Sequence, residues 1–180
     1  MSIYTYTTLD NPAATATTQP LGINDAGQVV GIYQAPIIGS TYYGFLYSGG
    51  SYTTLSDPSS TALNGSGTFA YGINASGQIV GYYLGHNGHN EGFLYSGGSY
   101  TTLDDSLATI STEPAGINAS GRIVGSFRDN DGYHGFLYSG GIYTTLNGPL
   151  TNSLTHAQGI NAAGQVVGWY ANASGPRLSL

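Results

Sequence analysis

Apolar and polar positions along this chain change places over short runs, with no helical period. In the stretch from residue 70 to residue 103, four runs of strand character follow one another, at 70–74, 78–83, 92–96 and 99–103. β-Branched and aromatic residues fill them, and glycine, asparagine or proline bounds each one. No apolar i, i+3, i+4 stripe is present, so helices are not expected. Four short strands joined by tight turns predict an antiparallel meander, and the whole chain reads as all-β.

The meander recurs. Gly-Phe-Leu-Tyr-Ser-Gly-Gly stands at 44–50, 92–98 and 135–141, and Gly-Ile-Asn-x-x-Gly-x-Val/Ile-Val-Gly begins at Gly22, Gly72, Gly116 and Gly159. A period of roughly 40–50 residues with four strands per unit is the signature of a β-propeller blade. A β-solenoid is the competing architecture, but it does not need two hairpin turns per unit. The expected fold is one domain, 1–180, with blades near 20–55, 69–103, 114–146 and 157–180 plus 3–9. Tyr6-Thr7-Thr8-Leu9 repeats the outermost strand seen at 52–55, 100–103 and 143–146, while nothing follows Arg177-Leu178-Ser179-Leu180. The N-terminal strand is therefore expected to complete the last blade and close a ring of four four-stranded blades, which removes the exposed edge. The same complementarity could act between chains instead. A monomer is the first expectation, with a ring-forming or edge-paired oligomer as the alternative.

The turns carry their own chemistry. In Asn74-Ala75-Ser76-Gly77 the asparagine opens a tight turn and the glycine takes positive φ. Asn64, Asn74, Asn118 and Asn172 sit in Asn-x-Ser sequons. Those at Asn74 and Asn118 fall in this turn and are read as turn residues, not glycan acceptors.

Charge narrows the partners. Only 7% of residues are charged, against roughly 25% in an average domain. The chain has no lysine, three arginines (Arg122, Arg128, Arg177) and a formal net charge of −6. Nothing here can track a phosphate backbone, so nucleic acid is excluded as a partner. No run is long enough to span a membrane as a helix, and membrane insertion is not expected. With no cysteine there are no disulfides or thiolate sites. Met1-Ser2-Ile3-Tyr4 lacks the basic start and apolar stretch of a secretory leader.

In a meander of strands a to d, the a–b and c–d turns share one face and the b–c and d–a loops the other. Here the a–b and c–d turns are short and nearly invariant. The b–c loops (34–43, 84–91, 128–134, 171–176) and the d–a loops (10–20, 56–69, 104–114, 147–157) are long and variable. All four histidines lie in the long loops, as do all the acids except Asp25. Ligand residues concentrate on such loops. Strand b ends in Ile32-Tyr33, Tyr82-Tyr83, Ser126-Phe127 and Trp169-Tyr170, so one residue of each pair packs between blades and the other faces elsewhere. Blade packing is the competing reading of the Tyr33, Tyr83, Phe127 and Tyr170 ring. Leu21, Tyr71, Ala115 and Gln158 differ among otherwise similar blades, close to the axis, as residues lining a site would.

The two repeated phrases together resemble the HAF-type extracellular repeats of bacteria. Glycine stands here for that family's alanine, tyrosine for its tryptophan, and its histidine is in place only at His134-Gly135-Phe136. The resemblance covers nearly the whole chain. It implies a secreted or cell-surface bacterial protein and carries over no catalytic residue.

Several clusters could support chemistry. His86, His89 and Glu91 could hold zinc, although a solvated hairpin explains the glycine-rich 85–91 stretch more simply. Asp129-Asn130-Asp131-Gly132 opens like a calcium loop but lacks the downstream bidentate glutamate. No cofactor is therefore expected. No nucleophile elbow, phosphate loop or triad order is present, and no enzyme activity is expected. The function that fits is multivalent, lectin-like binding of a glycan or other surface ligand through the long-loop face. Tyr71, Tyr83, Trp169 and Tyr170 are expected to stack on it, and His86, Asn87, Asp129, Asp131 and His156 to hydrogen-bond it. The alternatives are a self-assembling scaffold without small ligand, and a polysaccharide hydrolase or lyase.

Overall fold

A computed structural model describes residues 4–35, 41–61, 67–148, 154–172 and 175–178. Every regular element among them is a strand. The first repeat unit holds β1 (Thr18–Ile23), β2 (Val29–Ala35), β3 (Thr41–Ser48) and β4 (Ser51–Leu55). The second holds β5 (Thr68–Ile73), β6 (Ile79–Leu84), β7 (Asn90–Ser96) and β8 (Ser99–Leu103). The third holds β9 (Ser111–Ile117), β10 (Ile123–Arg128), β11 (Tyr133–Ser139) and β12 (Ile142–Leu146). The fourth holds β13 (Leu154–Ile160), β14 (Val166–Asn172) and β15 (Gly175–Leu178). Within each unit successive strands pair antiparallel. A parallel bridge between Asn90 and Ser111 joins the second and third units into one eight-stranded sheet.

The repeated phrases explain why the units take this form. Asparagine and glycine make the a–b turn: Asn74 Oδ1 accepts from the N–H groups of Ser76 and Gln78, and Gly77 has φ of 76°. That left-handed conformation disfavours any residue with a Cβ. In the middle strand Gly81 faces Phe93 of the next strand, and a Cβ at Gly81 would run into the carbonyl oxygen of Phe69. The glycine thus lets the irregular inner strand fold close over the middle one. The phenylalanines of the Gly-Phe-Leu-Tyr phrase, Phe45, Phe93 and Phe136, are fully buried. Each meets a tyrosine of the outer strand edge-on (Tyr52, Tyr100 and Tyr143), with centroids 5.4–5.5 Å apart. Burying each phenylalanine contributes about 1.5–3 kcal/mol.

The core lies between units. Val30 and Leu55 of the first unit pack with Ala70, Ile73, Ile79, Tyr83 and Phe93 of the second. Val80 and Leu103 of the second pack with Ile117, Ile123, Phe127 and Phe136 of the third. A ladder of turn asparagines runs along the same joints. Asn24 Nδ2 donates to the carbonyl oxygen of Asn74 at 2.9 Å, Asn74 Nδ2 to that of Asn118 at 3.1 Å, and Asn118 Nδ2 to that of Asn161 at 3.0 Å.

The expected closure by the N-terminal strand is not formed. Residues 4–17 contain no strand, Tyr6 is 92% exposed, and the fourth unit's sheet has three strands among the described residues. Residue 3, where that strand was expected to begin, and residues 179–180 lie outside the described residues. The reason is local. Leu9 packs on the first unit's own cluster around Val29, Tyr33 and Phe45. The Asn11 N–H donates to Thr18 Oγ1, and Asn11 Oδ1 accepts from the Ala13 N–H. The segment is thereby tied to the first unit.

Candidate ligand-binding cleft

One b–c loop and the d–a loop that follows it share a face. A hollow of about 250 Å³ is lined by Asn87 and His89 of a b–c loop together with Asp104 and Thr109 of the following d–a loop. At the opposite end, Gln28 Nε2 of an a–b turn donates to Ser48 Oγ of a c–d turn at 3.4 Å. Parts of the expected loops, residues 36–40, 62–66, 149–153 and 173–174, lie outside the described residues.

On the long-loop face the middle strands end in a row of side chains that the pleat separates from the buried ring. Tyr33, Tyr83 and Phe127 are core residues. Tyr82 and Ser126, which precede Tyr83 and Phe127, and Trp169, which precedes Tyr170, lie on the other side of their strands. Register places Tyr82 opposite Phe69, Ser126 opposite Glu113 and Trp169 opposite His156. A cleft of about 140 Å³ opens among Tyr71, Tyr82, Glu113, Ser126, His156 and Gln158.

Two sets of rings wall it. Tyr71 stacks on Tyr82 with centroids 5.5 Å apart, their hydroxyls 3.4 Å apart, and Tyr82 stacks on Phe69 at 5.0 Å. Across the cleft His156 stacks on Trp169 at 4.2 Å and meets Tyr133 at 4.6 Å. His156 Nδ1 lies 3.0 Å from Ser126 Oγ, which orients the ring. Glu113 sits between the two sets, its Oε1 accepting from Asn90 Nδ2 at 2.9 Å. Burial lowers the His156 pKa, and the Glu113 carboxylate opposes that shift in part. Burial raises the Tyr82 pKa, with further contributions from Tyr71 and Glu113, so its hydroxyl stays protonated.

The structure sorts the expected site residues. Tyr71 and His156 line the cleft, and Trp169 backs it through His156. Tyr83 does not face a ligand: it is 1% exposed and its hydroxyl donates to Glu91 Oε2 at 2.8 Å. Strand alternation puts Tyr82, not Tyr83, on the cleft. Tyr170 follows Trp169 in β14 and, by alternation, lies on the strand side away from it. His86 is exposed, and Asn87 donates to Glu91 Oε1 at 2.9 Å beside the separate 250 Å³ hollow. Asp129 closes its own turn, accepting from the N–H groups of Asp131 and Gly132, with His134 Nε2 at 3.1 Å. Although desolvation acts the other way, those hydrogen bonds and the nearby imidazole hold its carboxyl below the usual range. Asp131 is exposed in that turn.

Among the described residues no three of His, Asp and Glu are grouped to hold a metal. Glu91 accepts from Tyr83 and Asn87, and although it lines the 250 Å³ hollow with His89, His86 is not among that hollow's lining residues. Three residues of the cleft, Tyr82, Glu113 and Ser126, were not among those expected from sequence to contact a ligand. The signal was available, because position 82 and its counterparts Ile32, Ser126 and Trp169 vary between units while the buried partner stays aromatic.

Fold and cleft together define an all-β tandem-repeat protein with an aromatic, acid-bearing cleft on its long-loop face. The chain belongs to the family described as Protein of unknown function (DUF3466), whose pattern matches residues 3–174. No curated protein matches it significantly. Among solved structures, a variant of Aleuria aurantia lectin in complex with Fucα1-6GlcNAc is 14% identical. The match covers 85% of this chain and 56% of that one, with a TM-score of 0.46. The same lectin variant with α-methyl-L-fucoside gives the same values. The β-propeller domain of the Trilobed protease from Pyrococcus furiosus, described as having an open velcro topology, is 11% identical. That match covers 84% and 48%, with a TM-score of 0.48. The chain spans about half the length of these solved chains. No helix among the described residues is long and apolar enough to cross a membrane.

Proposed function

We propose that the repeat units are propeller blades and that the chain is a non-enzymatic binding module for carbohydrate. The observation that carries this reading is the cleft itself. Tyr71 and Tyr82 on one side, and His156 against Trp169 on the other, flank Glu113. The C–H faces of a sugar ring pack on aromatic faces, and its hydroxyls bond to carboxylate, hydroxyl and imidazole groups. The polar atoms suit holding more than cleaving. Hydrolysis of a glycoside uses two carboxylates facing each other across the bond. Here Glu113 engages Asn90, while Glu91 is committed to Tyr83 and Asn87. The site is one cleft shared by the second, third and fourth blades, because the first carries Leu21 and Ile32 at the matching positions. A secreted or cell-surface location accords with the resemblance to HAF-type repeats.

The test is a glycan and polysaccharide binding screen, run with calcium and again with chelator. Trp169, the single tryptophan, is the fluorescence reporter. Saturable binding abolished by Tyr71→Ala, Glu113→Gln or His156→Ala supports the reading. No glycan binding, or binding indifferent to all three, overturns it.

A further inference from the structure

The joint between successive units is built from four recurring parts, all four at the first two joints and the asparagine and glycine parts at the third. A middle-strand valine packs against an isoleucine of the next unit, as Val30 does in the cluster with Ile73 and Val80 in the cluster with Ile117. A turn asparagine donates to the next turn's carbonyl oxygen. An inner-strand glycine admits a carbonyl of the next unit: a Cβ at Gly22, Gly72 or Gly116 would sit 2.5, 3.0 and 3.0 Å from the oxygens of Tyr71, Ala115 and Gln158. Finally, the leucine that ends each outer strand, Leu55 or Leu103, packs into the core of the following unit.

The two terminal units each present one unfilled half of this joint, and the halves are complementary. Val30, Val80 and Val124 are 0% exposed, whereas Val167 is 59% exposed. Ile73 and Ile117 are 7% and 8% exposed, whereas Ile23 is 69% exposed. Among the described residues, a Cβ at Gly159 would meet Val167 and no carbonyl from another unit. Asn161 Nδ2 donates to Gln165 Oε1 within its own turn, and among the described residues to no following turn. An apolar hollow of about 330 Å³ lies over Leu21 and Ile23 of the first unit, and one of about 460 Å³ over Ile160 and Val167 of the fourth.

The N-terminal segment extends the same pattern backwards. Leu9 packs on the first unit's core as Leu55 and Leu103 pack on theirs. Asn11 repeats the turn made by Asp57 and Asp105, each accepting an N–H two residues on, and each with its own N–H on a threonine of the next inner strand. The Tyr-Thr-Thr-Leu at 6–9 is thus aimed to be the outer strand of a unit preceding the first. The fourth unit's sheet, ending at β15, lacks an outer strand among the described residues.

We propose that two copies of this chain join head to tail, the fourth unit of each seating on the first unit of the other. Val167 then packs on the partner copy's isoleucine at position 23. The Asn161 amide donates to the turn carbonyl at position 24, and residues 6–9 pair with β15. Two such joints, related by a two-fold axis, close a ring without an open edge. This inference stands on the repeated joint and is independent of what the cleft binds.

Solution mass by light scattering tests it. The wild type is expected at twice the chain mass, independent of concentration in the micromolar range. Ile23→Asp and Val167→Asp are each expected at single-chain mass, with unchanged circular dichroism because both positions are exposed. An equimolar mixture of the two variants retains one intact joint and is expected to return to the doubled mass. A single-chain wild type, or a doubled mass that survives both substitutions, overturns the proposal. Since the chain has no cysteine, Ile23→Cys with Val167→Cys gives a second reading. A disulfide between chains supports the proposal, and one within a single chain overturns it by showing self-closure.

Discussion

The imidazole of His156 lies against the indole of Trp169, centroids 4.2 Å apart and planes 20° from parallel. Trp169 is the single tryptophan, so its emission reports on this stack and on the cleft that His156 lines.

The stack predicts a pH response. Burial holds His156 neutral below the ordinary imidazole value of 6.5, with Glu113 opposing part of the shift. A lowered folded pKa means that the unfolded chain binds the proton more readily. The stability that His156 confers is therefore full above the ordinary imidazole value and is lost as pH falls through the folded one. Trp169 emission is expected to change over the lower part of that window, and His156→Asn to remove the change.

Strand parity predicts opposite phenotypes for adjacent tyrosines. Tyr82→Ala is expected to weaken glycan binding tenfold or more, about 1.4 kcal/mol, with a small effect on folding. Tyr83→Phe removes the hydroxyl bonded to Glu91. It is expected to cost about 1 kcal/mol of stability and leave affinity unchanged. Titration calorimetry and urea unfolding of both variants read the two effects separately.

The turn ladder predicts graded costs along the chain. Asn118 is 4% exposed; it accepts from the N–H groups of Ser120 and Arg122 and donates to the Asn161 carbonyl. Asn118→Ala is expected to destabilise by about 2–4 kcal/mol, because buried backbone groups lose their partners. Asn161→Ala, at an exposed turn, is expected to cost under about 1 kcal/mol in dilute solution. Equal midpoints in urea for the two variants would refute the ladder as a source of stability.

The close approach at Gly81 predicts a severe lesion from one methyl group. A Cβ there meets the Phe69 carbonyl, so Gly81→Ala has to push the inner strand off the middle one. A loss of several kcal/mol is expected, in the range of the largest single-substitution effects. Gly27→Ala probes the backbone alone, since Gly27 has φ of 72° and open space around it; about 1 kcal/mol is expected there. Melting temperatures of both variants check the order.

Much of this was legible along the chain. The tandem strands, the Asn-x-x-Gly turns with glycine at positive φ, and the division into short-turn and long-loop faces follow from local chemistry, and local rules reach that far. Tyr71 was identifiable because its position varies among otherwise similar units, and His156 because it falls in a stretch that reads as a long loop. Tyr82 was missed in favour of Tyr83 because alternation assigns two sides to a strand but does not say which one packs on the next unit. Glu113 and Ser126 were missed because their importance comes from facing His156 across two strands.

The sequence by itself determined the repeat, the all-β character and the residues inside each turn, since these depend on contacts within a few tens of residues. Only the tertiary structure decided that Tyr83 belongs to the core, that Glu91 is spent on a tyrosine hydroxyl, and that residues 6–9 do not close the ring within the chain. Those outcomes depend on which surface of one unit meets which surface of the next. Near-identical units carry near-identical surfaces, so their sequences cannot say where the stacking stops.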